Sequence, residues 1–217
     1  MVRGPSIFDK LSKIVSGEKI RKVRCFSCNH KQDVSSAAQS SLCPSCGSYI
    51  DLRDLKISGP FGRSIQTQGE IYVTSKGELT SARAACGSAI LEGKLRGNLV
   101  CNGVVRVKAH GKMLGGIEAH ELVIEKRCDA EFVRTLKAHS VEVNGRVSAR
   151  IVCETAVTIN KGGFLEGAVY ARSIMVEKGG LFSGELFIGQ TPAGEGSPGT
   201  EPKQGTLFGD DEGLQPA

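Results

Sequence analysis

Four cysteines near the start of the chain are the residues best suited to chemistry. They form two Cys-x2-Cys pairs, Cys25/Cys28 and Cys43/Cys46, with 14 residues between the pairs. Two such pairs can supply four thiolates to one tetrahedral Zn²⁺ and leave no position open to water. Gly47, directly after the second pair, allows the tight backbone turn that such a loop needs. The spacing therefore predicts a structural zinc site in a small β module, a zinc ribbon, over residues 21–51, which needs its metal to fold.

What this ribbon recognises stays open at this stage. Basic residues flank the cysteines and could contact phosphates; they are Arg21, Lys22, Arg24 and Lys31. Only Phe26 is available to stack on a base. His30 is a competing metal ligand, but four cysteines already complete a tetrahedral shell, so we expect its side chain to be exposed. A solvated basic face is the simpler interpretation, and a nucleic-acid-binding ribbon is the alternative.

The cysteine content indicates a reducing compartment. Residues 1–17 contain no compact apolar block followed by a small-residue cleavage site, so we expect no secretory signal. Eight cysteines in the cytoplasm then indicate metal binding or burial rather than disulfides. The four later cysteines have no metal-site spacing. We expect Cys153 to face inward, with Cys101 a candidate for the same environment, and Cys86 and Cys128 to lie near turns.

The two ends of the chain differ from the middle in composition. Residues 1–20 form a basic arm in which apolar residues recur at helical spacing; they are Ile7, Phe8, Leu11, Ile14 and Val15. Such a helix could lie on an anionic membrane surface or pack against protein, and the sequence does not separate the two. Residues 190–217 carry one Lys, five acidic residues and four of the seven prolines, which predicts a disordered acidic tail.

A repeat over residues 52–189 decides the expected fold. Apolar pairs recur every 17 residues on average; they are Leu55/Ile57, Ile71/Val73, Ala89/Leu91, Val105/Val107, Leu122/Ile124, Val141/Val143, Val157/Ile159 and Ile174/Val176. At ~3.3 Å per residue, one repeat has a contour of roughly 56 Å, which suits one coil of a β-solenoid with parallel strands about 4.8 Å apart. The sequence predicts an all-β solenoid of about eight coils. A β-sandwich is the alternative, but it gives no reason for a near-fixed interval.

These repeats end in Gly-Gly-Leu181-Phe-Ser-Gly-Glu-Leu-Phe-Ile188 and resemble those of the bactofilins, polymer-forming cytoskeletal proteins of bacteria. The resemblance covers about 135 of the 217 residues. It implies a right-handed parallel β-helix whose copies stack end to end into non-polar filaments without nucleotide, often tethered to the inner membrane. The zinc ribbon departs from the family pattern, in which a short flexible arm stands at the N-terminus.

The two ends of such a solenoid are its expected contact surfaces. Each end exposes unpaired backbone groups above an apolar cross-section, and no capping helix is visible after Ile174. The predicted polymerisation interface combines both ends; its residues are Phe182, Leu186 and Phe187 at the C-terminal end and Leu55, Ile57 and Phe61 at the other. The alternative is that the aromatic residues only cover their own end.

An enzymatic solenoid is a further alternative. Hexapeptide-repeat acyltransferases need strict six-residue spacing, which holds here from Val141 to Ala171 and fails at Glu177. Their general base would have to be a histidine, and no carboxylate has a spacing that would orient any candidate. The candidates are His110, His120 and His139. No Gly-x4-Gly-Lys-Ser/Thr phosphate loop is present, so nucleotide-driven assembly is not indicated.

The sequence therefore predicts a non-enzymatic, cytoplasmic scaffold that polymerises with itself. We expect it at the inner face of the cytoplasmic membrane or at a cell pole, where it positions client proteins. The family resemblance suggests two client classes, cell-wall synthesis or hydrolysis enzymes and chromosome-positioning proteins, and the sequence does not separate them. A zinc-ribbon nucleic-acid-binding protein, multimerised by its β-helix, is the alternative function.

Overall fold

The computed structural model describes residues 20–189, which form a small N-terminal module and a rod. The module contains two antiparallel hairpins, one of β1 (Ile20–Arg24) with β2 (Lys31–Ser35) and one of β3 (Ser40–Leu42) with β4 (Tyr49–Asp51). The rod begins at Leu55 and consists of parallel strands. Within residues 20–189, no helix is long and apolar enough to span a membrane.

The rod winds through eight coils, and each coil contributes to three faces, named here A, B and C in chain order. Face A contains β5 (Leu55–Ile57), β8 (Glu70–Val73), β11 (Ser88–Leu91), β20 (Ala156–Ile159), β22 (Ser173–Val176) and the second halves of β13 (Asn98–Val107), β15 (Gly116–Ile124) and β17 (Leu136–Val143). Face B contains β6 (Pro60–Phe61), β9 (Glu78–Leu79), β12 (Lys94–Leu95), β14 (His110–Met113), β16 (Asp129–Phe132), β18 (Arg146–Ser148) and the first halves of β21 (Phe164–Ala171) and β23 (Leu181–Ile188). Face C contains β7 (Ile65–Gln66), β10 (Ala84–Cys86), β19 (Ile151–Cys153) and the remaining halves of the long strands.

The register of face A confirms the predicted repeat. The first members of the eight apolar pairs are register partners from coil to coil; in order they are Leu55, Ile71, Ala89, Val105, Leu122, Val141, Val157 and Ile174. All neighbouring strands of the rod are parallel, which excludes the β-sandwich. The predicted fold class, an all-β parallel solenoid of about eight coils, is therefore confirmed.

The core of the rod is a narrow column of aliphatic side chains. Period-two alternation sends every second residue of each strand inward, where it packs between the equivalent residues of the coils on either side. Val105, Leu122 and Val157 are fully buried in this way on face A. Phe132 is the single buried aromatic residue within the described range, which agrees with the 5% aromatic content.

Small side chains form one inward column of face C. The successive register partners at this position are Cys86, Cys101, Ala119, Ala138 and Cys153. Ala171 follows Val169 and Tyr170, the partners of Ile151 and Val152, and pairs with Ile188 in the last coil. The predicted inward environment of Cys101 and Cys153 is thereby confirmed. Cys128 is also buried, immediately before β16, so each of the four rod cysteines fills core space.

Candidate metal centre and assembly ends

The candidate metal centre lies between two equivalent turns of the N-terminal module. In each turn the N–H of the first cysteine, Cys25 or Cys43, donates at 2.9 Å to the carbonyl five residues later. The residue after the second cysteine adopts positive φ, 58° at Asn29 and 71° at Gly47. Asn is among the few non-glycine residues that adopt this conformation readily. The sequence reasoning identified Gly47 but missed Asn29, whose position after Cys28 was the available signal.

The two turns bring the four cysteine sulfurs together. All four Sγ atoms lie within 4.8 Å of one another, with Cys25 Sγ 3.7 Å from Cys46 Sγ and Cys28 Sγ 3.5 Å from Cys43 Sγ. Cys25 and Cys43 are buried in the module core, whereas Cys28 and Cys46 are exposed. This cluster could hold a metal ion, and the predicted ligand set is thus assembled in one place.

Local hydrogen bonds divide the thiols by proton affinity. Donation from the hydroxyl and backbone N–H of Ser48 lowers the pKa of Cys46 to about 6. The backbone N–H groups of Cys28 and Ser27 lower the pKa of Cys25. The backbone N–H of His30 also lowers the pKa of Cys28, but desolvation and the neighbouring thiols outweigh it and raise that pKa to about 11. The site therefore combines thiols of lowered pKa with one thiol of raised pKa, whose deprotonation a bound metal ion would favour.

The polar residues around the cluster have separate roles. His30 is exposed, as expected, and Lys22 and Lys31 are exposed on β1 and β2. Arg21 instead turns into the module, where its Nη2 donates to the carbonyls of Ala38 at 2.9 Å and Leu52 at 2.7 Å. It holds the module together and is a poor candidate for phosphate contact. Phe26, the one candidate for base stacking, is half-buried.

The C-terminal end of the rod exposes much apolar surface. Strands β22 and β23 form the last coil, and within residues 20–189 each pairs on one side only, with β20 and β21 respectively. The exposed fractions are 62% for Met175, 46% for Val176, 62% for Leu181, 39% for Leu186 and 50% for Ile188. Phe182 is half-buried against the rod core. Val176, Leu186 and Ile188 occupy inward positions that the preceding coils bury completely or nearly so.

Phe187 has a different orientation from the other residues of the predicted C-terminal interface. Its register partner in β21 is Tyr170, which lies between the buried residues Val169 and Ala171 and therefore points outward. The Phe187 and Tyr170 rings are stacked, with centroids 4.5 Å apart. Phe187 thus lies on the lateral surface of the rod, whereas Leu186 and Ile188 face the open end.

The N-terminal end is more covered. Ile57 is 3% exposed, and Leu55 and Phe61 are half-buried against the rod core. The segment that leaves the metal module crosses this end: Gln68 N–H donates to the Asp51 carbonyl at 2.7 Å, and Thr67 Oγ1 donates to the Arg53 carbonyl at 2.7 Å. The two ends of the rod are therefore unequal. The predicted arm residues, Ile7, Phe8, Leu11, Ile14 and Val15, and the predicted tail, 190–217, lie outside the described residues.

The expectation that no carboxylate orients a histidine was wrong. His139 Nδ1 lies 3.0 Å from Glu154 Oε2, and the His139 ring stacks on His120 with centroids 4.8 Å apart. His139 and Glu154 are 15 residues apart because that coil is shorter than the average repeat. His110 and His120 are exposed and His139 is half-exposed, so the group lies on the lateral surface.

Comparison with known protein families agrees with this architecture. The model of the family described as bactofilin, polymer-forming cytoskeletal, matches residues 46–132 and 128–186. The match begins in the second cysteine turn and extends through seven coils into the last one, and it covers more than half of the chain. No curated protein and no solved structure matched. From its repeated coils and this match, the chain belongs to the bactofilin family.

Proposed function

We propose that this protein is a non-enzymatic, nucleotide-independent scaffold whose copies join through the ends of their rods. The bactofilin family is polymer-forming and cytoskeletal. The observation that carries the proposal is the uncovered last coil, in which inward positions such as Leu186 and Ile188 remain open to water. Burial of an exposed aliphatic side chain contributes about 1.5–3 kcal/mol, so contact with a second copy is favourable. The free edges of β22 and β23 add backbone hydrogen-bonding groups to the same surface.

The double substitution Leu186→Arg with Ile188→Arg tests this proposal. Two guanidinium groups at the open end cannot be buried without partners, so we expect the assemblies to become monomers. Electron microscopy and sedimentation velocity of the purified full chain measure this. The matched control is Leu114→Arg with Val133→Arg, which places the same two charges at exposed apolar residues far from both ends. Assemblies of unchanged length in the double variant would contradict the proposal.

We infer that the metal is a structural Zn²⁺. With Zn–S bonds of about 2.3 Å, the sulfurs of a tetrahedral site are about 3.8 Å apart, close to the 3.7 and 3.5 Å of the two measured pairs. Cys25, Cys28, Cys43 and Cys46 would hold the ion, and four thiolates leave no open position for catalysis. The ion supplies the free energy that orders a module whose core has only six buried residues.

We further propose that the scaffold acts in the cytoplasm, at the inner membrane face or a cell pole, and positions client proteins there. Contact through the ends leaves the three lateral faces of each rod free, so clients and further copies do not compete for one surface. Cell-wall enzymes are one client class that the family suggests. Fluorescent fusions of the full chain and of the Leu186→Arg/Ile188→Arg variant test this, because a diffuse signal is expected only for the variant.

A further inference from the structure

The segment that leaves the metal module takes the place of one corner of a preceding coil at the N-terminal end of the rod. Asp51 accepts a hydrogen bond from Gln68 N–H, and Glu70 N–H donates to Asp54 Oδ1 at 2.8 Å. Thr67 and Gln68 are 4% and 8% exposed, and they are two of the three buried polar residues within the described range. Residues 51–54 thus lie against residues 67–70 along the corner between faces C and A, where a preceding coil would lie.

Glycines at this corner show how closely the segment imitates a coil. A Cβ on Gly87 would lie 2.1 Å from the Gln68 carbonyl oxygen of the preceding coil. A Cβ on Gly69 would lie 2.3 Å from the carbonyl oxygen of Arg53. Because both contacts require glycine, the backbone at Arg53 approaches the first coil as one coil approaches the next. A second copy stacked on this end would need the same space.

The segment is fixed to the metal module from the other side. Leu52 is 2% exposed and packs in the same small core as Cys25 and Cys43. Arg21 donates to the Leu52 carbonyl, and the Gln68 side-chain amide donates to the Arg24 carbonyl on β1. The position of residues 51–54 on the rod therefore depends on the folded module, and the fold of the module depends on its metal.

We propose that the metal-loaded module closes the N-terminal end to self-association. This proposal rests on the proposed function. A second copy of the chain can then bind only at the C-terminal end, with its rod pointing in the opposite direction. Such a contact is isologous, because the same last coil is used by both copies, and it stops at two copies. Longer polymers require the module to leave the first coil, which loss of its metal brings about.

Sedimentation velocity and electron microscopy of the full chain, loaded with zinc or stripped by a chelator, test this proposal. We expect particles of two copies when zinc is bound and filaments of many copies after stripping. The Leu186→Arg/Ile188→Arg variant should be monomeric with zinc, and its stripped form should reach at most two copies, now through N-terminal ends. Filaments of equal length with and without zinc would overturn the proposal while leaving the proposed function intact. Absence of assembly in every state would overturn both.

A second variant keeps the four cysteines and therefore the metal site. It tests whether release of the module from the first coil is enough for longer assemblies, without unfolding of the module. Gln68→Ala with Asp54→Ala removes two side-chain contacts between the module and the first coil. We expect this variant to bind one zinc ion per chain and still to form assemblies longer than two copies. The matched control is Gln32→Ala with Asp33→Ala, which changes the same residue types on β2. Particles of two copies from the zinc-loaded Gln68→Ala/Asp54→Ala variant would contradict the proposal.

Discussion

Phe187 stacks on Tyr170 with 9° between the ring planes, on the outside of the rod and beside its open end. The two rings are register partners in adjacent coils, so the pair lies across the junction between the seventh and eighth coils. The neighbouring residue Ile188 instead occupies an inward position, which is left exposed at the open end of the rod. These two adjacent residues of β23 therefore have different roles. Phe187 holds the last coil in place, and Ile188 belongs to the proposed contact surface.

Phe187→Ala should weaken the last coil and leave assembly intact. Loss of the stacked pair is expected to cost about 0.5–1.5 kcal/mol beyond lost burial, because the aromatic contact itself is removed. Thermal unfolding measures the loss, and electron microscopy measures the assemblies. Ile188→Arg is the comparison variant, since it should abolish assembly with a smaller effect on unfolding. Equal loss of assembly in both variants would show that the lateral ring belongs to the contact surface.

Cys25→Ser with Cys28→Ser should remove the metal without unfolding the rod. Two thiolates cannot complete a tetrahedral site, so we expect one zinc ion per wild-type chain and none in the variant. Elemental analysis measures the zinc. The rod core shares no buried residue with the module core, so the β-rich circular dichroism spectrum and the rod unfolding transition should remain. Cys101→Ser, which alters a buried rod cysteine, should keep its zinc.

Gly87→Ala should destabilise the rod by about 1–3 kcal/mol, because the new Cβ would overlap the Gln68 carbonyl oxygen and force two coils apart. Denaturant unfolding of the full chain measures the change. Gly59→Ala is the control, since no atom lies within 4 Å of a Cβ at that position. Similar free energies of unfolding for the two variants would refute the close corner packing described above.

Thiol labelling after removal of the metal should divide the eight cysteines into the four of the module, which unfolds without its ion, and the four that are buried in the rod. Burial raises the pKa of Cys128 to about 12, so its reactive thiolate stays scarce as the pH rises from 7 to 9. In the unfolded module a cysteine has the ordinary pKa near 8.5 and gains thiolate over that range. With the metal chelated, mass spectrometry should find four labels per chain at pH 9 and eight after denaturation. Rapid labelling of Cys128 in the native state would contradict the burial.

The repeat made most of the fold predictable from the sequence. Inward residues such as Val105, Leu122 and Val141 recur because each must pack on the equivalent residues of the coils on either side. The sequence interval between them therefore equals the number of residues in one coil. The cysteine cluster was equally accessible, since four ligands of one ion must be close together. Both features depend on a local pattern repeated along the chain.

Contacts that depend on the exact length of one coil were not accessible. His139 reaches Glu154 because one coil is shorter than its neighbours, which an average interval cannot reveal. The outward direction of Phe187 depends on how many residues the preceding corner uses. The approach of Arg53 to Gly69 joins two separately folded parts, and no periodicity in either part encodes it.

Ile188 differs in size from the residues that precede it in its inward column. From Cys86 to Ala171 that column contains only cysteine and alanine, whereas Ile188 introduces a branched side chain at the same position. Duplicating an internal repeat would keep a small residue in the column, whereas duplicating the final coil would bury this larger side chain between two coils. An additional coil is therefore expected to cause less packing strain inside the rod than beyond Ile188.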